Sequence, residues 1–189
     1  MRNSELKSRA REALRDRWGI AILTSLIFVG INYIAGNIPL ASWITPVFAF
    51  GFARFYLDLV RGADAKIESV FTESFSDFLK KWGTSLLKIL YLVLWYLLFI
   101  IPGIVKSYSY AMTEYILLDH PELGCNEAIT KSREMMDGYK WKLFVLDLSF
   151  IGWRILSFFT CGILDLLFVN PYVNATRAQF YEELKAIKG

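Results

Sequence analysis

Residues 83–104 read GTSLLKILYLVLWYLLFIIPGI, and the fold follows from how little of that run is polar. Lys88 is its only charge, so a helix built from it has almost no face to offer water. Its length suits the hydrocarbon core of a bilayer. Five further apolar stretches accompany it, and six predicted spans result: Trp18 to Gly36, Ala41 to Val60, Gly83 to Ile101, Ile104 to Leu118, Leu143 to Phe159 and Ile163 to Phe180.

Composition agrees. The chain is 55% hydrophobic and 16% aromatic, with a mean hydropathy of +0.38, above soluble usage, and its 21% charged residues must collect outside the lipid. They do so on one side. The links Asn37 to Leu40, Pro102–Gly103 and Thr160 to Gly162 are short, rich in turn-forming residues and free of Lys and Arg, as tight helical hairpins require. The opposite side receives Arg2, Lys7, Arg9, Arg11, Arg15 and Arg17, then Arg61, Lys66, Lys80 and Lys81, then Lys131, Arg133, Lys140 and Lys142, and finally Lys185 and Lys188. By the positive-inside rule both termini are cytoplasmic. The net charge of +3 therefore speaks of an anionic membrane surface, with no separate basic stripe for nucleic acid. Cys125 and Cys161 fall on opposite predicted sides, which argues against a disulfide, and no metal-ligand spacing exists.

Two readings compete with this one. The basic lead and apolar run at the amino end resemble a signal peptide, with small residues near Ser42, but the lead is long and the run exceeds an h-region. A soluble domain of wholly buried helices would also be apolar, yet leaves the one-sided charge unexplained.

The chain repeats itself. Arg17-Trp18-Gly19, Lys81-Trp82-Gly83 and Lys140-Trp141-Lys142 each open a hairpin after an amphipathic segment, a repeat-sized period. Units of about 1–62, 63–120 and 121–189 follow, within a single membrane domain. Pro46, Ala53, Phe55, Tyr56 and Leu59 align at one offset with Pro171, Ala178, Phe180, Tyr181 and Leu184, which favours duplication over chance likeness of apolar helices. The amphipathic segments carry stripes such as Leu6, Ala10, Leu14; Val70, Phe71, Phe75; and Ala128, Ile129, Ser132, Met135, Met136. They are expected to lie in the cytoplasmic interface, apolar face down, with Trp18, Trp82 and Trp141 as anchors. Packing against one another as a cytoplasmic cap is the alternative.

The run from Ala128-Ile129 through Ser132-Arg133, Met135-Met136, Gly138, Lys140 to Phe144, and Leu148 to Trp153, then Pro171-Tyr172, Ala178 and Phe180-Tyr181, resembles a bacterial integral membrane family common in Gram-positive bacteria and known only as a domain of unknown function. Trp18-Gly19 extends the likeness to the amino end, and the family is more remotely similar to the membrane domain of some glycerophosphodiesterases. The resemblance implies a plasma-membrane location and a topology, and no activity.

Ionisable groups inside a membrane are costly and mark the place to seek function. Lys106 and Glu114 lie in the fourth span with Ser107, Tyr108, Ser109, Tyr110 and Thr113; Asp147 and Arg154 share a face of the fifth; Asp165 opens the sixth, where Asn170 and Asn174 flank Pro171. An Asp147–Arg154 ion pair, or an Arg154 that snorkels outward, is the structural reading; a polar translocation path is the functional one. Pro46 and Pro171 are expected to kink their spans. Catalysis finds little support: His120, the only histidine, reads as a turn residue before Pro121, and Glu122, Glu127 and Glu134 as solvated charges. The sequence therefore predicts an all-α, six-span membrane bundle that is not an enzyme and takes no cofactor. It is expected to bind or move a lipid or small amphiphile; the alternative is an accessory protein acting through partners or self-association. Membrane lipids, with a second copy or another membrane protein, are the expected partners.

Overall fold

Every regular element among the described residues is helical. The computed structural model describes residues 2–38, 41–160 and 162–188; Pro39 and Leu40 of the first predicted link, and Cys161, lie outside them. Three times the chain makes a short helix, an outgoing helix with a Trp near its start and a return arm. Helix α1 (Asn3–Leu14) precedes α2 (Trp18–Asn37), which returns through 3-10 turns (Ala41–Trp43, Thr45–Val47) into α3 (Phe48–Val60). Helix α4 (Ile67–Phe75) precedes α5 (Phe78–Leu98), answered by α6 (Ile100–Ser109) and α7 (Thr113–Asp119). Helix α8 (Cys125–Met135) precedes α9 (Lys140–Leu148) and α10 (Ile151–Phe159), and a π-helical turn (Asp165–Val169) leads into α11 (Asn170–Lys188).

Among the described residues, two helical runs are long and apolar enough to cross a membrane, Trp18–Asn37 and Ala41–Val60. Of the other predicted spans, the third is one unbroken helix up to Leu98, and the fourth and fifth are interrupted. The deciding run turns at Phe99, which is extended (φ −162, ψ 147), not at Pro102–Gly103. Proline explains the displacement: Pro102 sits in the first turn of α6, where its missing N–H has no intrahelical partner to lose. Pro46 occupies the same place in the 3-10 turn that starts its return arm, where the sequence suggested a kinked interior. Pro171 lies inside a continuous helical run, directly after a π-helical turn that interrupts the regular α-helix there.

The predicted fourth span breaks between α6 and α7, and Ser132 of α8 closes the gap: its hydroxyl donates to the Ser109 carbonyl (2.9 Å) and accepts from the Met112 N–H (3.2 Å). The fifth breaks between α9 and α10, where the Lys7 ammonium donates to the Ser149 carbonyl (3.3 Å) and lies 4.1 Å from the Phe150 ring centroid. Broken helices survive in apolar surroundings only when freed backbone groups find such partners. The amphipathic helices supply them, which corrects the interfacial reading of α1 and α8. Leu6, Ala10 and Leu14 are fully buried, packed in a core with Ala178, Tyr181 and Leu184, while Ala128, Ile129 and Met136 are buried too. The return arms extend beyond the apolar hairpins and offer these helices protein to cover. Helix α4 is intermediate, its Val70 buried and its Phe75 exposed. It meets α3 at Gly51, where a Cβ would overlap the Val70 carbonyl and Ser74 hydroxyl, so the two backbones approach only because glycine stands there.

The three units close like a pinwheel. Each outgoing helix starts against the tip-proximal part of the preceding return arm. The Trp82 indole donates to the Trp43 carbonyl (2.9 Å), Trp141 packs on Phe144 and thence on Tyr108, and Trp18 stacks on Phe168 (centroids 5.2 Å apart). Two of the three expected anchors thus seal unit boundaries, whereas Trp141 stays 71% exposed. At the centre of the wheel the ends of α3, α7 and α11 meet on Asp119. Its carboxylate accepts from Arg61 (2.7 Å), Lys185 (2.6 Å) and Tyr181 (2.9 Å). Burial alone would raise its pKa, but these donors hold it at about 2.

Away from this centre the arms and tips are apolar and bare: Leu94, Leu97 and Phe99, then Ile101 and Ile104, then Ile155, Phe158 and Phe159 are all exposed. Exposed apolar residues grouped in this way mark a surface that meets a partner, a ligand or a membrane.

Candidate functional site

A cavity of about 450 Å³ lies between the three units, within the range of small-molecule sites. Each outgoing helix sends one polar residue into its wall six or seven positions past its Trp: Ser25 from α2, Lys88 from α5 and Asp147 from α9. Return arms complete it with Tyr56, with Tyr108, Glu114 and Tyr115, and with Asn170, Asn174 and Arg177. The helix breaks at residues 110–112 and 149–150 lie beside these side chains, which is why polar groups from short helices can converge here.

The charges are paired within the wall. Lys88 donates to Glu114, and Arg177 grips Asp147 with both Nη2 (2.7 Å) and Nε (3.3 Å). Ser25 and Tyr56 share a hydrogen bond of 3.1 Å, and the Asn174 amide donates to Asn170 Oδ1 (2.5 Å). The lining is thus electrically balanced while its donors and acceptors face a space large enough for a ligand. A neutral or zwitterionic polar group suits such a wall better than a net ion, because it needs no uncompensated countercharge.

Of the residues singled out in the sequence, Glu114, Asp147, Asn170 and Asn174 come together here. Lys106, Arg154 and Asp165 do not. Lys106 leans over the Trp95 ring (4.5 Å) in a separate groove. Arg154 is exposed on α10 and is not the partner of Asp147, because the break after α9 swings it off that face and Arg177 takes its place. Asp165 opens the π-helical turn, its N–H donating to Ser157 Oγ (2.8 Å). Sequence reasoning passed over Arg177, although it is a lone cation in an arm facing a lone Asp. Lys88 and Glu114 were each conspicuous as charges, and their pairing across the hairpin was not. Among the described residues, no group of three or more His, Cys, Asp or Glu is placed to hold a metal ion.

The class that fold and cavity define is an all-helical protein with a polar chamber inside an apolar shell. The chain belongs to the family described as Protein of unknown function (DUF975), which matches residues 1–107 and again 97–188. No curated protein and no solved structure matches it.

Proposed function

We propose that this protein is a polytopic plasma-membrane protein, non-catalytic, that binds or moves a lipid or small amphiphile through the central cavity. The observation that carries the reading is the cavity itself, a polar chamber lined by all three units and bordered by broken helices, the construction that many transporters place at a repeat interface. The amphiphile's uncharged or zwitterionic head occupies the chamber and its tail lies along the bare hairpins. The reading includes a bacterial origin, three duplicated units, six crossings with both termini cytoplasmic, and kinship with the membrane domain of glycerophosphodiesterases. The Lys88–Glu114 and Asp147–Arg177 pairs favour a second reading, a structural accessory whose polar core merely fixes the bundle.

Filling the chamber separates the two. Ala49 lines it, and Ala49→Trp should abolish retention of an amphiphile that wild type carries through purification, as counted by mass spectrometry of the intact protein. Equal retention by the variant, or none by wild type across zwitterionic lipids and detergents, leaves the accessory reading. Topology has its own test. With Cys125 and Cys161 replaced, cysteines at the exposed Ser42 and Thr160 should react with an impermeant thiol reagent from outside whole cells, and one at Ser4 should react only after lysis. Tips silent from both sides would mean hairpins that enter the bilayer without crossing it.

A further inference from the structure

A second polar feature lies on the other face of the α6–α9 contact. A groove of about 300 Å³ between α6, α8 and α9 gathers Lys106, Arg133 and Lys140. Two carboxylates, Glu134 and Asp137, share the groove and offset part of this charge, leaving the cations in excess. Asp137 reaches Lys140 only at 3.8 Å with its own side chain 82% exposed, and Glu134 has no ion-pair partner among the described residues. The Lys188 ammonium adds a fourth cation at the rim, donating to the main-chain carbonyls of Glu134 (2.9 Å) and Asp137 (2.8 Å). The chain contains its own comparison. Lys81 holds the place in the second unit that Lys140 holds in the third, each just before the hairpin Trp, and Lys81 is buried and satisfied by Glu73 (2.6 Å) and Ser76 (2.7 Å). At the third unit that carboxylate is missing, and two more cations converge instead.

Next to the groove the surface is apolar. Trp141 follows Lys140 and is 71% exposed, and Ile104 and Val105 stand bare beside Lys106 on α6. Aromatic residues of this kind settle at the level of lipid headgroups, and Arg and Lys between helices at that level form headgroup sites. The geometry points to a binding site for the phosphate of an anionic membrane lipid in the α6–α8–α9 groove, with the acyl chains running along the exposed face of α6. The assignment rests on the membrane placement proposed above and not on the central cavity. The phosphate oxygens accept from Lys106, Arg133 and Lys140, and the bare aliphatic neighbours select a lipid over a soluble phosphate.

Full-length protein in neutral detergent, titrated with phosphatidylglycerol or phosphatidylcholine and read by native mass spectrometry, tests the site. Wild type should retain one phosphatidylglycerol in preference to phosphatidylcholine. The triple variant Lys106→Gln, Arg133→Gln, Lys140→Gln should lose about a hundredfold in that affinity, roughly fivefold for each cation removed. A control with the same charge removed from exposed positions elsewhere, Arg2→Gln, Arg15→Gln, Lys66→Gln, should bind as wild type does. If the triple variant melts lower without lipid, the single Lys140→Gln substitution reads the same loss at about fivefold. Undiminished binding by the groove variants, or an equal loss in the control, overturns the site. Displacement of the lipid by inorganic phosphate in moderate excess overturns the lipid assignment and makes a soluble phosphate the ligand. Failure of the cavity reading leaves these outcomes unchanged, since Ala49→Trp does not touch the groove.

Discussion

Replacing Asp119 with Ala should cost the purified protein about 2–4 kcal/mol, less than a fully buried charge cluster because Arg61 and Lys185 are partly exposed. The Asp119 side chain is only 7% exposed, yet Arg61 and Lys185 both end on it. Its loss leaves the Lys185 ammonium and the Tyr181 hydroxyl without this acceptor, while Arg61 keeps Glu182 (2.7 Å). Because Arg61 belongs to the end of α3, Asp119 to α7, and Tyr181 and Lys185 to α11, all three return arms loosen together. Unfolding in detergent, followed by far-ultraviolet circular dichroism, gives the measurement; a loss below about 1 kcal/mol would place the cluster among ordinary surface ion pairs. The same carboxylate sets an acid limit. Its folded pKa of about 2 lies below the ordinary value near 4 of an unfolded chain, so its contribution is complete above about pH 4 and disappears as pH falls toward 2. Wild type should weaken across that window, and Asp119→Ala should lack this component of the acid sensitivity.

The second large effect concerns Asp147. Arg177→Leu should destabilise the protein by about 2–3 kcal/mol, less than a fully buried pair because Arg177 is 41% exposed to the cavity. Asp147→Leu added to it should restore part of the loss, since no carboxylate is then stranded. Arg154→Leu, on an exposed face of α10, should change stability by less than about 0.5 kcal/mol. Thermal melts of the single and double variants decide the matter, and an Arg154 variant as unstable as the Arg177 one would restore the pairing that sequence spacing suggested. Melts with a retained amphiphile add a functional reading: if the pair also orients a ligand, Arg177→Leu loses the stabilisation that ligand gives wild type.

The helical class and the helix starts at Trp18 and beside Trp141 were legible because they depend on composition and local spacing, whereas α5 begins at Phe78, a turn before Trp82. Glu114, Asp147, Asn170 and Asn174 were legible as cavity residues for a related reason: a polar group in an apolar helix is costly wherever the chain folds, so it stands out before its partner is known. The partners were not legible. Spacing along one helix suggested Arg154 for Asp147, but that argument assumes an unbroken helix, and the break at Ser149–Phe150 voids it.

By itself the sequence determined that this chain makes helices and that Pro46 and Pro102 lie near places where helices start. Propensity, hydropathy and a missing N–H are properties of short segments, readable without a fold. Only the tertiary structure decided that α1 and α8 bury their apolar faces in protein, that Ser132 and Lys7 close two broken helices, that Trp82 meets Trp43, and that Lys88, Glu114, Asp147 and Arg177 surround one chamber. These are pairings between residues distant in the chain, and they depend on how tilted helices pack in three dimensions, which no local pattern encodes.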